Sequence, residues 1–67
     1  MQVKVNSNLF EIDDDHRLIS LLKKLSLHEK GGMAVAVNAE VVSKKNWNQC
    51  VLNENDEVLI IEAAQGG

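Results

Sequence analysis

The residues best suited to chemistry in this 67-residue sequence stand at its C-terminal end, Glu62-Ala63-Ala64-Gln65-Gly66-Gly67, which is small or polar and closed by two glycines. Lacking Cβ atoms, Gly66 and Gly67 let the backbone pass through a narrow channel and leave the last carbonyl open to attack. The α-carboxylate of Gly67 has an ordinary pKa of about 3.5, so at neutral pH it is ionised and can attack an activated phosphate without a base. It is inert as an acyl donor. Adenylation replaces the poor oxide leaving group with AMP, after which a sulfur nucleophile gives a thioester, acyl disulfide or thiocarboxylate. The sequence contains no Gly-rich Walker loop, so the ATP site for such a step lies in another protein. Two terminal glycines also describe a frayed end, and the pair by itself leaves both readings open.

Other reactive side chains read as structural. Cys50 is the single cysteine and sits in an apolar stretch with no basic neighbour to lower its pKa, so a buried thiol is expected rather than a persulfide carrier. His16 and His28 flank a helical segment without Cys or His companions at zinc spacing, and are expected to be solvent-exposed; no metal site is expected. Asp13-Asp14-Asp15 lacks the glycine and the distal glutamate of a calcium loop and is expected to start a helix. Trp47 is expected in the core, its indole N–H bonded to an acceptor.

The elements that position the tail follow from hydrophobic period. Gln2 to Val5 and Leu9 to Ile12 alternate Val3, Val5, Phe10 and Ile12 on one face, with Asn6-Ser7-Asn8 as the turn of a hairpin. Leu18, Leu21, Leu22 and Leu25 recur at helical spacing, opposite Arg17, Ser20, Lys23 and Lys24. Asp13 to Asp15 supply an N-cap and negative charge for that helix, while Lys23, Lys24, His28 and Lys30 lie at or beyond its other end, before Gly31-Gly32. Met33 to Asn38 and Glu40 to Val42 form a second hairpin turning at Asn38-Ala39, Ser43 to Gln49 is irregular or briefly helical, and Cys50 to Leu52 pairs as a short edge. Asn53-Glu54-Asn55-Asp56 turns into Val58-Leu59-Ile60-Ile61, whose apolar residues on both faces predict a fully buried, mid-sheet strand. A crossover lays this last strand parallel to the first. The expected fold is α+β, a β-grasp with a mixed sheet of four to five strands on one main helix: residues 1–61 as the domain and 62–67 as a flexible tail. Six extended residues reach about 20 Å, enough to enter a partner's active site.

Bulk properties limit the alternatives. A chain of 67 residues makes one domain with a thin core, held by apolar packing because one cysteine cannot form an internal disulfide. Ten acidic against seven basic residues give a net charge of -3, which offers no positive field for nucleic acid. With no signal-peptide pattern and no apolar run near membrane-spanning length, a cytoplasmic chain with no membrane partner is expected.

On these residues the sequence resembles the sulfur carrier proteins of thiamine (thiazole) biosynthesis, a ubiquitin-like β-grasp family, over nearly its whole length. The segment Val35-Ala36-Val37-Asn38-Ala39-Glu40-Val41-Val42 looks like that family's third and fourth strands, Trp47 like its tryptophan, Asn55-Asp56 like its Gly-Asp turn, and Gln65-Gly66-Gly67 like its tail. The resemblance implies that a ubiquitin-activating-type adenylating enzyme uses ATP to activate Gly67. It implies further that persulfide sulfur, from a cysteine desulfurase or another donor, converts Gly67 to a thiocarboxylate, and that thiazole synthase takes the sulfur. Gly66, Gln65 and Ala64 would thread the partner's channel. The chain itself would be no enzyme and would bind no cofactor. Ser43-Lys44 departs from a common Pro-Arg, and Asn55 from a common glycine whose positive φ asparagine also tolerates. The small subunit of molybdopterin synthase shares fold and tail, and is disfavoured by this chain's shortness and by Trp47. A ubiquitin-like modifier or plain binding module is the third reading, distinguished by lysine-linked adducts.

Overall fold

The computed structural model describes residues 1–29 and 31–62. Strands β1 (Gln2–Val5) and β2 (Asn8–Glu11) form the first hairpin, α1 (Leu18–Lys24) follows, β3 (Met33–Val37) and β4 (Glu40–Val42) form the second hairpin, and β5 (Glu57–Glu62) completes the sheet. The five strands lie in the order β2-β1-β5-β3-β4, with β5 parallel to β1 and antiparallel to β3. This is the β-grasp arrangement expected, with the last strand at the sheet's centre. Both hairpins turn on paired left-handed residues, Asn6 and Ser7 in the first and Asn38 and Ala39 in the second. Two successive positive φ values match the twist of the strands they join.

One face of the sheet carries the core. Val3, Val5, Val35, Val58 and Ile60 meet Leu18, Leu21 and Leu22 of α1, with Ile12, Trp47 and Leu52 closing the sides. Leu59 and Ile61, the alternate residues of β5, are 49% and 52% exposed, so the expectation of a strand buried on both faces is corrected. Among the described residues a single α-helix of seven residues covers one side, and no layer covers the opposite side of the central strand. Strand β5 also includes Glu62, opposite Met33, one residue past the expected end of the sheet. The second strand begins at Asn8 and stops at Glu11; Ile12 lies beyond it, buried, its N–H donated to Met1 O at 2.9 Å.

The ends of α1 are built differently from expectation. Its cap residue is Arg17, with no capping side chain. Asp15 is engaged elsewhere: it accepts from the Arg17 guanidinium at 3.0 and 2.8 Å and from Ser20 Oγ at 2.6 Å. The first helical N–H groups instead donate to backbone carbonyls of the loop after β4, Leu18 to Cys50 at 2.8 Å and Ile19 to Trp47 at 3.1 Å. Orphan donors at a helix start need any acceptor, and this loop supplies two. Around it, Cys50 to Leu52 forms a single bridge, Val51 to Arg17, and Leu52 N–H donates to His16 O at 2.7 Å. At the other end Ser26 takes φ 60°, while Ser26 N–H donates to Lys23 O and Leu27 N–H to Leu22 O, the paired bonds of a Schellman stop.

Trp47 is 2% exposed, just after a 3₁₀ turn at Lys44–Asn46, and its Nε1 donates to Val42 O at 3.0 Å. The turn before β5 holds Asn55 at φ 68°, with Asn55 N–H donated to Gln2 O at 2.8 Å and Asn53 N–H to Asp56 Oδ2 at 2.8 Å. Asparagine therefore does at position 55 what glycine would do.

Candidate functional site

The four residues expected to do or guide the chemistry, Ala64, Gln65, Gly66 and Gly67, lie outside the described residues. What the structure describes is the base from which they continue. Strand β5 is hydrogen-bonded on both sides over its first half, to β1 through Lys4↔Glu57 and Val5↔Val58 and to β3 throughout. Past Val58 the β1 backbone has turned away, and the Asn6 side chain takes its place: Ile60 N–H donates to Asn6 Oδ1 at 2.7 Å and Asn6 Nδ2 donates to Ile60 O at 3.3 Å. At the start of β5 a second asparagine does similar work. Glu57 N–H donates to Asn38 Oδ1 at 2.9 Å, Asn38 Nδ2 donates to Asp56 Oδ1 at 2.9 Å, and Asn38 N–H donates to Glu57 O at 2.7 Å. The segment that leads to the tail is thus held from Asp56 to Glu62. A hollow lined by Phe10, Leu25, Leu27, Ile60 and Glu62 lies beside its end.

These two asparagines were legible in the sequence only as turn formers. Their side-chain partners are 54 and 19 residues away, and no local pattern reports such a bond.

The remaining candidates stay outside any constellation. Cys50 is half-buried, and burial pushes its thiol above the usual range, with Asp56 adding to the effect. A thiol held protonated is a poor nucleophile and a poor sulfur acceptor. His16 and His28 are half-buried, where exposure was expected; among the described residues His28 Nδ1 is buried without a hydrogen-bond partner, and Nε2 lies 3.8 Å from Glu29. Among the described residues no three His, Cys, Asp or Glu side chains converge at metal-binding distance. The Asp15 carboxyl, held by Arg17 first and Ser20 second, lies well below the usual carboxylate range, which makes it a fixed charge rather than an acid or base. Lys24 is occupied too, 3.5 Å from Asp13 and with its ammonium 5.8 Å from the Phe10 ring centre. No helix among the described residues is long and apolar enough to cross a membrane.

Strand β5, parallel to β1 at the centre of the sheet, leads toward the C-terminal residues, and the model of the ThiS family matches residues 3–67. The chain belongs to the ThiS family. Membership extends over the whole β-grasp and includes Gly66 and Gly67, because the match ends at the last residue. The sulfur carrier protein ThiS of Escherichia coli (strain K12) is 25% identical over 67 residues, covering 100% of both chains. The crystal structure of the thiamine biosynthesis protein ThiS from Geobacter metallireducens superposes with a TM-score of 0.81 at 22% identity, over 100% of both chains. Its NMR solution structure gives 0.75 at 22% identity, over 100% of this chain and 88% of the other. At that identity the two structures establish the fold alone.

Proposed function

We propose that this chain is a sulfur carrier for thiazole formation in thiamine biosynthesis, a protein co-substrate rather than an enzyme, loaded and unloaded at Gly67. The observation that carries the proposal is the family match through the terminal Gly66-Gly67 on a β-grasp whose central strand leads to it. In the first step a carboxylate oxygen of Gly67 attacks the α-phosphorus of ATP in a ubiquitin-activating-type partner. The bond to pyrophosphate breaks, and an acyl-adenylate forms. A persulfide, supplied ultimately by a cysteine desulfurase or similar donor, then attacks the activated carbonyl through its terminal sulfur and expels AMP, leaving an acyl disulfide. A second thiolate attacks the outer sulfur, which releases the thiocarboxylate and forms a disulfide between the two carrier thiols. Thiazole synthase is the acceptor. Gly66, Gln65 and Ala64 serve as the thread through each partner's channel, where the absence of bulk at Gly66 admits the backbone. The reaction belongs to the reducing cytoplasm, where thiols persist.

Cys50, the other sulfur-bearing candidate, has its thiol held protonated by burial and Asp56. The test is the intact mass after incubation with the adenylating enzyme, ATP and a desulfurase system, with alkylation to mark the thiocarboxylate. Replacement of one oxygen by sulfur, mapped to Gly67 and retained in Cys50→Ser, is the expected result. An unchanged tail in the presence of competent partners, or a sulfur that disappears with Cys50→Ser, overturns the proposal. Lysine-linked adducts in cells would assign the chain to protein modification instead.

A further inference from the structure

Strand β1 stops at Val5 because Asn6 and Ser7 turn the chain back at φ 48° and 73°. Its parallel partner β5 continues to Glu62 and would present the N–H and C=O of Ile60 to an empty flank. The ladder closes its backbone part with Asn6 N–H donated to Val58 O at 2.9 Å. The next rung is made by a side chain. Ile60 N–H donates to Asn6 Oδ1 at 2.7 Å, where a continuing strand would have offered a carbonyl, and Asn6 Nδ2 donates to Ile60 O at 3.3 Å, where it would have offered an amide. A carboxamide has the donor and acceptor of a peptide unit, so it extends a ladder that the backbone has already left. Beyond this rung β5 stays paired on its other edge, Ile61 with Ala34 and Glu62 with Met33, and the chain runs on to Gly67.

We propose that Asn6 is a positioning residue for the tail: its carboxamide, bonded to both backbone groups of Ile60, fixes the direction in which β5 ends and so sets how often Gly67 reaches the adenylation site of a docked partner. The proposal rests on the sulfur-carrier reading. Chemical steps are steeply sensitive to misplacement of the reacting group, and a tethered substrate is placed by its tether. Loss of the rung leaves the other surfaces of the domain in place, so productive placement falls while docking is retained.

Asn38 is a matched control within the same molecule. It too sits in a hairpin turn at positive φ, 51° against 48°, and both its carboxamide atoms are also bonded, but at the start of β5: Oδ1 accepts from Glu57 N–H, and Nδ2 donates to the side chain of Asp56 just before the strand. A role confined to stability predicts that Asn6→Gly and Asn38→Gly behave alike. Glycine keeps the left-handed backbone without strain and removes only the carboxamide. The experiment measures ATP–pyrophosphate exchange by the adenylating enzyme against carrier concentration, at a temperature where circular dichroism shows every variant folded. Amide hydrogen exchange at Ile60 is followed in parallel. Expected for Asn6→Gly is a fall of about tenfold in kcat with KM nearly unchanged, and lost protection at Ile60. Asn38→Gly should keep the wild-type kcat. Asn6→Asp keeps the acceptor for Ile60 N–H but sets a carboxylate oxygen against Ile60 O, and should lose kcat as Asn6→Gly does. Equal kcat in Asn6→Gly and Asn38→Gly, or full protection of Ile60 in Asn6→Gly, overturns the proposal. A wild-type chain that supports no exchange at all overturns the carrier reading and this proposal together, and is told apart by failure of the unmutated control.

Discussion

Single side chains in this domain act mostly by completing backbone hydrogen bonds that the short elements leave open. Asn6 and Asn38 do so for β5, Trp47 does so for Val42, and Asp15 braces Arg17 and Ser20 at the entrance to α1. Asp15 carries a pH dependence whose sign follows from its partners. Its folded-state pKa lies below the unfolded value of about 4, so the unfolded chain takes up the proton first as pH falls. The stabilisation is complete above that unfolded value and is lost as pH drops through the folded one. Asn at position 15 cannot titrate. The stability difference between wild type and Asp15→Asn, measured by urea unfolding, should therefore be largest near neutrality and shrink below about pH 4. A difference that stays constant down to acid pH would mean that the carboxylate is not held by Arg17 and Ser20.

Elements here are short, so their ends and faces matter more than their intrinsic preference. An isolated seven-residue helix has no stability in water, and α1 exists because Leu18, Leu21 and Leu22 are buried and its termini are satisfied from outside. Ser26 ends the helix in a left-handed conformation that suits glycine, and its side chain is exposed. Ser26→Gly should stabilise the domain by about 0.5–1 kcal/mol after allowance for the greater freedom of glycine in the unfolded chain. Thermal unfolding should show this as a rise of a few degrees in Tm, about 4–8 °C per kcal/mol in a domain of this size. A fall in Tm would contradict the Schellman assignment. The faces of β5 give a second contrast. Ile60→Ala should cost about 2–5 kcal/mol, because it opens a cavity in the core, whereas Leu59→Thr, on the uncovered face, should change stability by no more than about 0.5 kcal/mol. Comparable losses at both positions in chemical denaturation would require a second layer over the sheet.

For the molecule as a whole, the proposed function separates folding and chemistry along the chain. Among the described residues the core cluster runs from Val3 to Ile60. Removing Gly66 and Gly67 should therefore leave the Tm within about 2 °C of wild type, since changes remote from the core have small effects, while abolishing adenylation. Calorimetry and pyrophosphate exchange on the same preparation check both halves. A truncated chain that is still adenylated would remove Gly67 from the reaction. The core is small, as surface-to-volume scaling requires for this length, and the domain ties its two hairpins together through the pairing of β5 with β1 and β3. That strand joins the two hairpins, and its C-terminal end leads toward Gly67, the residue proposed to react.

The sequence by itself determined the element order, the inward faces of the first hairpin and the helix, and the turns, because each is written in local patterns: alternation in Val3, Val5, Phe10 and Ile12, helical spacing in Leu18, Leu21, Leu22 and Leu25, and asparagines at the hairpin turns. It also placed Trp47 inside with its indole bonded, since a large aromatic in a small domain has few other places. Only the tertiary structure decided that β5 is covered on one face, because a run of apolar residues does not say how many layers surround it. Tertiary structure decided as well that backbone carbonyls of Trp47 and Cys50, not Asp13 to Asp15, receive the first N–H groups of α1, and that Asn6 and Asn38 complete β5. Those bonds join residues far apart in the chain. Their partners are chosen by packing, which brings distant groups to hydrogen-bonding distance and leaves no trace in the periodicity of either segment.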